Sequence, residues 1–216
     1  MISGRTALPV SRRFLLASGG HVLIASCVIS GCGSLLPTPK TLPIYVLEPP
    51  LPTVPAGSRV NWQLAVALPR AQASLDTIRI ALRKPSPILD YYADAAWPDR
   101  LPLLLQDLLI GSFVRSGRIL GVGRDDSGIA ANYRLETELL NFEAHYDQAN
   151  TAPQVQVQFE ASLVSLPTRT IVARTTVIES ASATKNDLSD IVISFDHAAA
   201  MTLGRIVDWT FKQLPG

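Results

Sequence analysis

The chain has 216 residues, enough for one domain with an extra segment or for two small domains. Its 47% hydrophobic and 17% charged residues exclude a disordered polypeptide. The formal charge of +1 hides an asymmetry, because the first 31 residues hold Arg5, Arg12 and Arg13 and no acid. Without those three arginines, 16 basic groups face 18 acidic ones, a net of −2, which gives the body no footprint for nucleic acid.

Residues 1–13 are polar to mildly basic, and residues 14–31 are apolar with only His21 ionisable. A positive start, an apolar run and small residues at its end read as an export signal. The run has 18 residues, the lower limit of a membrane span at about 17–25, and Gly19-Gly20-His21 interrupts it. Its end, Ile29-Ser30-Gly31-Cys32, resembles the lipobox of bacterial lipoproteins. Small side chains let the backbone enter a peptidase cleft, and the Cys32 thiol is the nucleophile that accepts a diacylglycerol. A buried cysteine in an ordinary helix is the alternative reading. Ile24-Ala25-Ser26-Cys27 is a second candidate, but glycine precedes Cys32 and a proline-rich stretch follows it.

The lipoprotein resemblance implies three acyl chains, and two or more already hold a protein firmly at ~0.8 kcal/mol per buried CH₂. By the same resemblance, Gly33 after the cysteine favours the outer membrane over the inner. Ser11-Arg12-Arg13-Phe14-Leu15-Leu16 resembles a twin-arginine export motif and reads equally as an ordinary basic start; both routes end in the periplasm. With Cys32 as the first mature residue, Cys27 leaves with the signal, and no thiol remains for a disulfide or a cysteine-ligated metal.

Three segments follow: a signal over 1–31, an acylated cysteine and tether over 32–58, and a body over 59–216. The tether carries Pro37, Pro39, Pro43, Pro49, Pro50, Pro52 and Pro55, a density that favours extended polyproline geometry. It reads as a spacer that lifts the body off the lipid surface. Within it, residues 44–47 form a short apolar run able to pair as an edge strand, and such edges permit homo-oligomers.

In the body, Val60, Trp62, Leu64, Val66 and Leu68 alternate with smaller or polar residues, as in a half-buried strand. A second strand fits Ile78, Ile80 and Leu82, and a third fits residues 88–92. Leu101, Leu104, Leu105, Leu108 and Leu109 fall at helical spacing up to Phe113, with Pro98 at the entry and Gly117 at the stop. Residues 118–122 predict a strand closed by a turn over 123–128. Residues 133–146 predict a long strand whose apolar phase shifts at Leu139-Leu140. A bulge there is expected to turn Phe142, Ala144 and Tyr146 to the face opposite Tyr133 and Leu135. Val155, Val157, Phe159, Ala161 and Leu163 alternate strictly with polar residues, and residues 170–178 complete a hairpin. Val192, Phe195, Ala199, Leu203 and Ile206 trace a helix ending near Leu214. The fold class is therefore α+β, an antiparallel-rich sheet with two helices packed on one face.

Chemistry leaves few marks. His145 and His197 are the histidines that remain after the signal, and both read as surface residues, His145 on the wet face of its strand and His197 beside Asp196 on the polar side of the last helix. No nucleophile elbow supplies them with a partner. Asp90 and Asp94 read as loop solvation, Gly121-Val122-Gly123 lacks the rest of a dinucleotide loop, and Asp125-Asp126 lacks the spaced ligands of a calcium loop. These patterns predict no enzyme, no cofactor and no metal.

The string Tyr91-Tyr92-Ala93-Asp94-Ala95-Ala96-Trp97-Pro98-Asp99-Arg100-Leu101-Pro102 and the leucine-rich helix after it are distinctive. They resemble the auxiliary lipoproteins of ABC-type transport systems, the family that accompanies Mla- and Pqi-like MCE lipid-transport machineries. The likeness continues through Ser116-Gly117-Arg118, residues 133–139 and Trp209, covering most of 44–214. It implies a periplasmic α+β domain on a lipid anchor without catalytic residues. It also implies work beside a permease, an ATPase and an MCE-domain protein that move phospholipid or other hydrophobic cargo between the two membranes. Tyr91, Tyr92 and Trp97 have two readings, packing of the helix onto its sheet or an aromatic rim for lipid or an MCE partner. Two rival functions are an outer-membrane assembly lipoprotein that plugs or chaperones a β-barrel, and a periplasmic hydrolase using His145 or His197.

Overall fold

The computed structural model of the protein describes residues 42–50, 57–85, 87–148 and 151–214. The signal 1–31, Cys27, Cys32 and residues 33–41 and 51–56 of the proline-rich stretch lie outside them. In chain order the body forms β1 (Leu64–Val66), β2 (Arg70–Ala71), β3 (Arg79–Arg83), β4 (Leu89–Ala96), α1 (Leu101–Arg115), β5 (Val122–Arg124), β6 (Tyr133–His145), β7 (Gln154–Ser165), β8 (Thr170–Ser182) and α2 (Leu188–Gln213). A single 3₁₀ turn, Asp125–Ser127, follows β5.

One eight-stranded sheet carries everything. Its frame is the antiparallel run β6–β7–β8, with Leu135 opposite Leu163, Phe159 opposite Val177 and Val155 opposite Ala181. β7 keeps the expected alternation: Val155, Val157, Phe159, Ala161 and Leu163 are buried, and the intervening glutamines are not. The second edge of β6 takes three short parallel strands in succession, β1 at Tyr133–Leu135, β2 at Glu138 and Leu139, and β3 at Ala144 and His145. β5 lies beyond β1, and β4 lies antiparallel beyond β3. The sheet is thus mixed, and both helices cover one face, α2 over β7 and β8 and α1 beside α2 over β1 and β5.

The bulge on β6 is where the sequence predicts it, between Leu139 and Asn141, but its consequence is reversed. Leu135, Thr137 and Leu139 pair with Leu163, Ala161 and Phe159; Phe142 and Ala144 pair with Val157 and Val155. All five partners sit on the one buried face of β7, and directly paired residues share a face. The extra residue therefore keeps Phe142 and Ala144 on the same face as Leu135. The shift in the sequence compensates the bulge rather than crossing the sheet.

Three other expectations need correction. The strand expected over 60–68 is regular only at β1: before it the Val60 amide goes to the Arg118 carbonyl and the Gln63 amide to Asn132 Oδ1, and after it comes Pro69, without an N–H, before pairing resumes at β2. The strand expected over 118–122 begins at Val122. Gly117, at φ 65°, turns the chain out of α1, and the carbonyls of Arg118 and Gly121 are taken by the Val60 and Leu64 amides. β4 continues to Ala96, so Asp90 and Asp94 are strand residues, not loop ones.

Two aromatic clusters fix α2 at its ends. Near its start, Phe195 stacks on Phe142 at 4.8 Å and meets the edge of Trp97 at 5.5 Å. Near its end, Phe211 packs on Trp62 and Phe113 at 5.7 and 5.8 Å. The helix is entered through Asp187, whose carboxylate accepts the Asp190 amide, while Asp190 accepts the amide of Lys185.

Candidate functional site

The aromatic string that precedes α1 is built into the fold. Trp97 is 1% exposed and meets the stacked pair Phe142 and Phe195 edge to face at 6.1 and 5.5 Å, a burial that favours packing over contact for this residue. Its Nε1–H finds no acceptor among the described residues. Tyr91 is half-buried, donates its hydroxyl to the Ser74 carbonyl at 3.0 Å, and carries the Arg79 guanidinium 3.8 Å over its ring. The Tyr92 hydroxyl shares a 2.8 Å hydrogen bond with Tyr146, which donates in turn to Asn186 Oδ1 at 2.9 Å. Burial, reinforced by Tyr146, pushes the Tyr92 phenol well above its ordinary range. This chain ties β4, the end of β6 and the approach to α2 together.

His145 is not the free surface residue expected. On its own strand, beyond the bulge, its Nε2 lies 3.4 Å from Glu143 Oε2 and 3.3 Å from Asn141 Nδ2. Glu143, 4% exposed, is gripped by both arms of Arg83 at 2.8 and 3.0 Å. Burial pushes the His145 imidazole below its ordinary pKa, Glu143 pulls it up and Arg83 pushes it down. No hydroxyl or thiol nucleophile is among these partners. His197 is exposed, as expected. Asp90 is held below the usual carboxylate range by its hydrogen bond to Lys84. Among the described residues, no three His, Cys, Asp or Glu side chains are grouped to hold a metal ion.

Three surfaces are available for contacts. The first is the uncovered sheet face, where Gln154, Gln156, Gln158, Glu160 and Arg174 stand on β7 and β8. The second is β8, which pairs on one side only and exposes Ile171, Val172 and Ile178. The third was not legible from the sequence. Residues 43–48 lie on the body, with the Tyr45 amide bonded to the Ala96 carbonyl at 2.9 Å and the Glu48 amide to Asp196 Oδ1 at 2.8 Å. The expected edge pairing of 44–47 is a single parallel bridge, Ile44 to Ala96. Between this segment and α1 runs a groove of ≈ 200 Å³, walled by Val46 and Leu47 on one side and Leu104 and Leu108 on the other. Burial raises the Asp196 carboxyl to about 6, against the opposing hydrogen bond from Glu48. The missed signal is in α1 itself, where Leu103, Leu104, Leu108, Ile110 and Val114 make the outward side as apolar as the inward one.

No helix among the described residues is long and apolar enough to cross a membrane. The family model of the ABC-type transport auxiliary lipoprotein component matches residues 45–207. An uncharacterized protein of Bradyrhizobium diazoefficiens, bll6063, is 27% identical over 168 residues, which is 77% of this chain and 44% of that protein. The chain thus spans under half the length of that curated relative. Protein XCC0632 from Xanthomonas campestris superposes with a TM-score of 0.73 at 28% identity, over 79% of this chain and 95% of that one. A second solved structure, of an uncharacterized protein, gives 0.60 at 14% identity over 78% and 99%, a likeness of fold alone.

Proposed function

The chain belongs to the ABC-type transport auxiliary lipoprotein family, and from that membership we propose that it is the envelope-anchored helper of an MCE-type transporter. In this reading Cys32 carries the lipid and fixes the protein in the periplasm, at the outer membrane. The body docks the MCE-domain component, and cargo, phospholipid or another hydrophobic molecule, passes between the two membranes. The permease and the ATPase are separate subunits. The observation that carries the reading is the extent of the family match, which takes in almost the whole folded body from its first docked segment to the last turns of α2. Ile29-Ser30-Gly31-Cys32 upstream supplies the anchor. The uncovered sheet face, rich in glutamine and carboxylate, is the surface we assign to the protein partner.

Two experiments test this. Labelled palmitate fed to cells is expected in the wild type and in Cys27→Ser but not in Cys32→Ser; label retained by Cys32→Ser would move or remove the anchor. Affinity capture of the C-terminally tagged protein from mildly cross-linked envelopes is expected to return an MCE-domain protein with its permease and ATPase. Recovery of an outer-membrane β-barrel alone would sink the transport role in favour of barrel assembly.

A further inference from the structure

The chain between the acylation site and the body ends in a built apolar surface. Three hydrogen bonds pin it: the two amides of Tyr45 and Glu48 described above, and the Ala96 amide to the Pro43 carbonyl at 3.2 Å. That pinning turns Tyr45 and Leu47 toward the core and leaves Leu42, Ile44 and Val46 outward, exposed by 42, 62 and 53%. Val46 is also a wall of the groove against α1, so the stripe and the groove are continuous.

Two charged side chains border the groove, and only one of them is neutralised. Asp107 is bound by Arg124 at 2.6 Å. Arg115 reaches the Ser112 hydroxyl at 3.4 Å and has no carboxylate partner among the described residues. An apolar surface with a spare cation at its rim suits a phospholipid better than it suits water.

Covalent continuity selects the occupant. Leu42 follows Cys32 by ten residues, so at ~3.3–3.6 Å per residue the near end of the stripe stays within roughly 36 Å of the acylated residue however the intervening chain runs. A bilayer holding the anchor is therefore always at high effective concentration for this surface. We infer that Leu42, Ile44 and Val46, with the groove behind them, seat on the phospholipid bilayer that holds the protein's own anchor, and that Arg115 meets lipid phosphate there. This rests on acylation at Cys32. It replaces a body held off the membrane by its tether with a body lying on it.

The test uses the acylated full chain reconstituted into vesicles of phosphatidylethanolamine and phosphatidylglycerol. Ile44→Cys, Val46→Cys and, on the uncovered sheet face, Thr176→Cys each carry one polarity-sensitive dye, the native Cys32 being blocked by its lipid. Flotation reports the anchor, and quenching by spin-labelled phosphatidylcholine reports the seating. All three variants are expected to float, with severalfold stronger quenching at positions 44 and 46 than at 176. Arg115→Glu is expected to lower the quenching at 46 severalfold. Flotation with equally weak quenching at all three positions overturns the seating and leaves the anchor standing. Cross-links between copies through position 46 without quenching overturn it in favour of self-association. Failure to float overturns anchor and seating together.

Discussion

Trp97 offers the sharpest test of whether the aromatic string is core or contact. Its indole is among the largest fully buried side chains and meets Phe142 and Phe195 edge-on at 6.1 and 5.5 Å. Truncating a buried aromatic to alanine costs ~3–5 kcal/mol. Two ring contacts, each worth ~0.5–1.5 kcal/mol, place Trp97→Ala in the upper part of that range. For a chain of this size each kcal/mol moves the midpoint by ~2–4 °C, so a fall of roughly 8–20 °C is expected in a circular-dichroism melt. Trp97→Phe separates shape from polarity. It loses area, but it also removes an Nε1–H without an acceptor, whose burial costs ~1–3 kcal/mol, so the net loss is expected to stay below ~2 kcal/mol. A Trp97→Ala protein that melts with the wild type and yet fails to capture its partner would refute the packing argument and return Trp97 to the contact surface.

Arg83→Ala strands the buried Glu143 carboxylate. Breaking a buried pair costs ~3–5 kcal/mol, reduced to ~1–3 because Arg83 is itself partly exposed. The same change is expected to raise the His145 pKa, followed by NMR, and an unmoved imidazole would show that the cluster is not coupled. Burial raises Asp196 to about 6 from 3.8, so the folded protein binds the extra proton between those values and stability falls as pH rises through that window. Asp196→Asn keeps an acceptor for the Glu48 amide, and urea titrations are expected to show it gaining on the wild type from pH 4 to above 6; a constant difference would rule out the raised carboxyl. Deleting Leu140, the unpaired bulge residue, leaves every inward side chain of β6 in phase and is expected to cost under ~2 kcal/mol. Deleting Gln158 from regular β7 puts the inward residues on its two sides out of phase and is expected to prevent folding.

The period-2 pattern of β7 was legible because one face is buried by α2 and the other meets water, so burial writes itself directly into the alternation. The same logic failed at β1, where Leu64, Ala65 and Val66 are all buried, Ala65 as well as its larger neighbours, and at β5, whose three residues pair wherever β1 places them. On β6 the phase shift marks a bulge, as the pattern predicts, but not the change of face that the pattern also predicts. A local pattern cannot say whether an inserted residue compensates or inverts the register; the partner strand decides. Among candidate site residues, Trp97 fits packing and contact equally in sequence, and burial is what distinguishes them. His145 differs from its expectation because β3, paired parallel to β6, brings Arg83, 62 positions away, onto Glu143, two places before His145 on the same strand face. Long-range ion pairs of this kind leave no spacing signature.

The arrangement of layers links these surfaces to function. Because both helices cover one face, the sheet's other face stays polar and open, and the segment 43–48 docks on the helical side, at Asp196 of α2 and along α1. If the groove seats on lipid as inferred above, the glutamine-rich face of β7 and β8 points away from the bilayer and is left open to a protein partner. On the proposal that Cys32 is acylated, the docked segment 43–48 lets the anchor set the orientation of the body as well as its address, which a spacer running undocked over 32–58 would not. Ile44→Glu with Val46→Glu should therefore leave acylation and folding intact while lowering partner capture from native envelopes. If capture survives in a protein whose groove has left the membrane, orientation by the anchor segment is not what presents the sheet face.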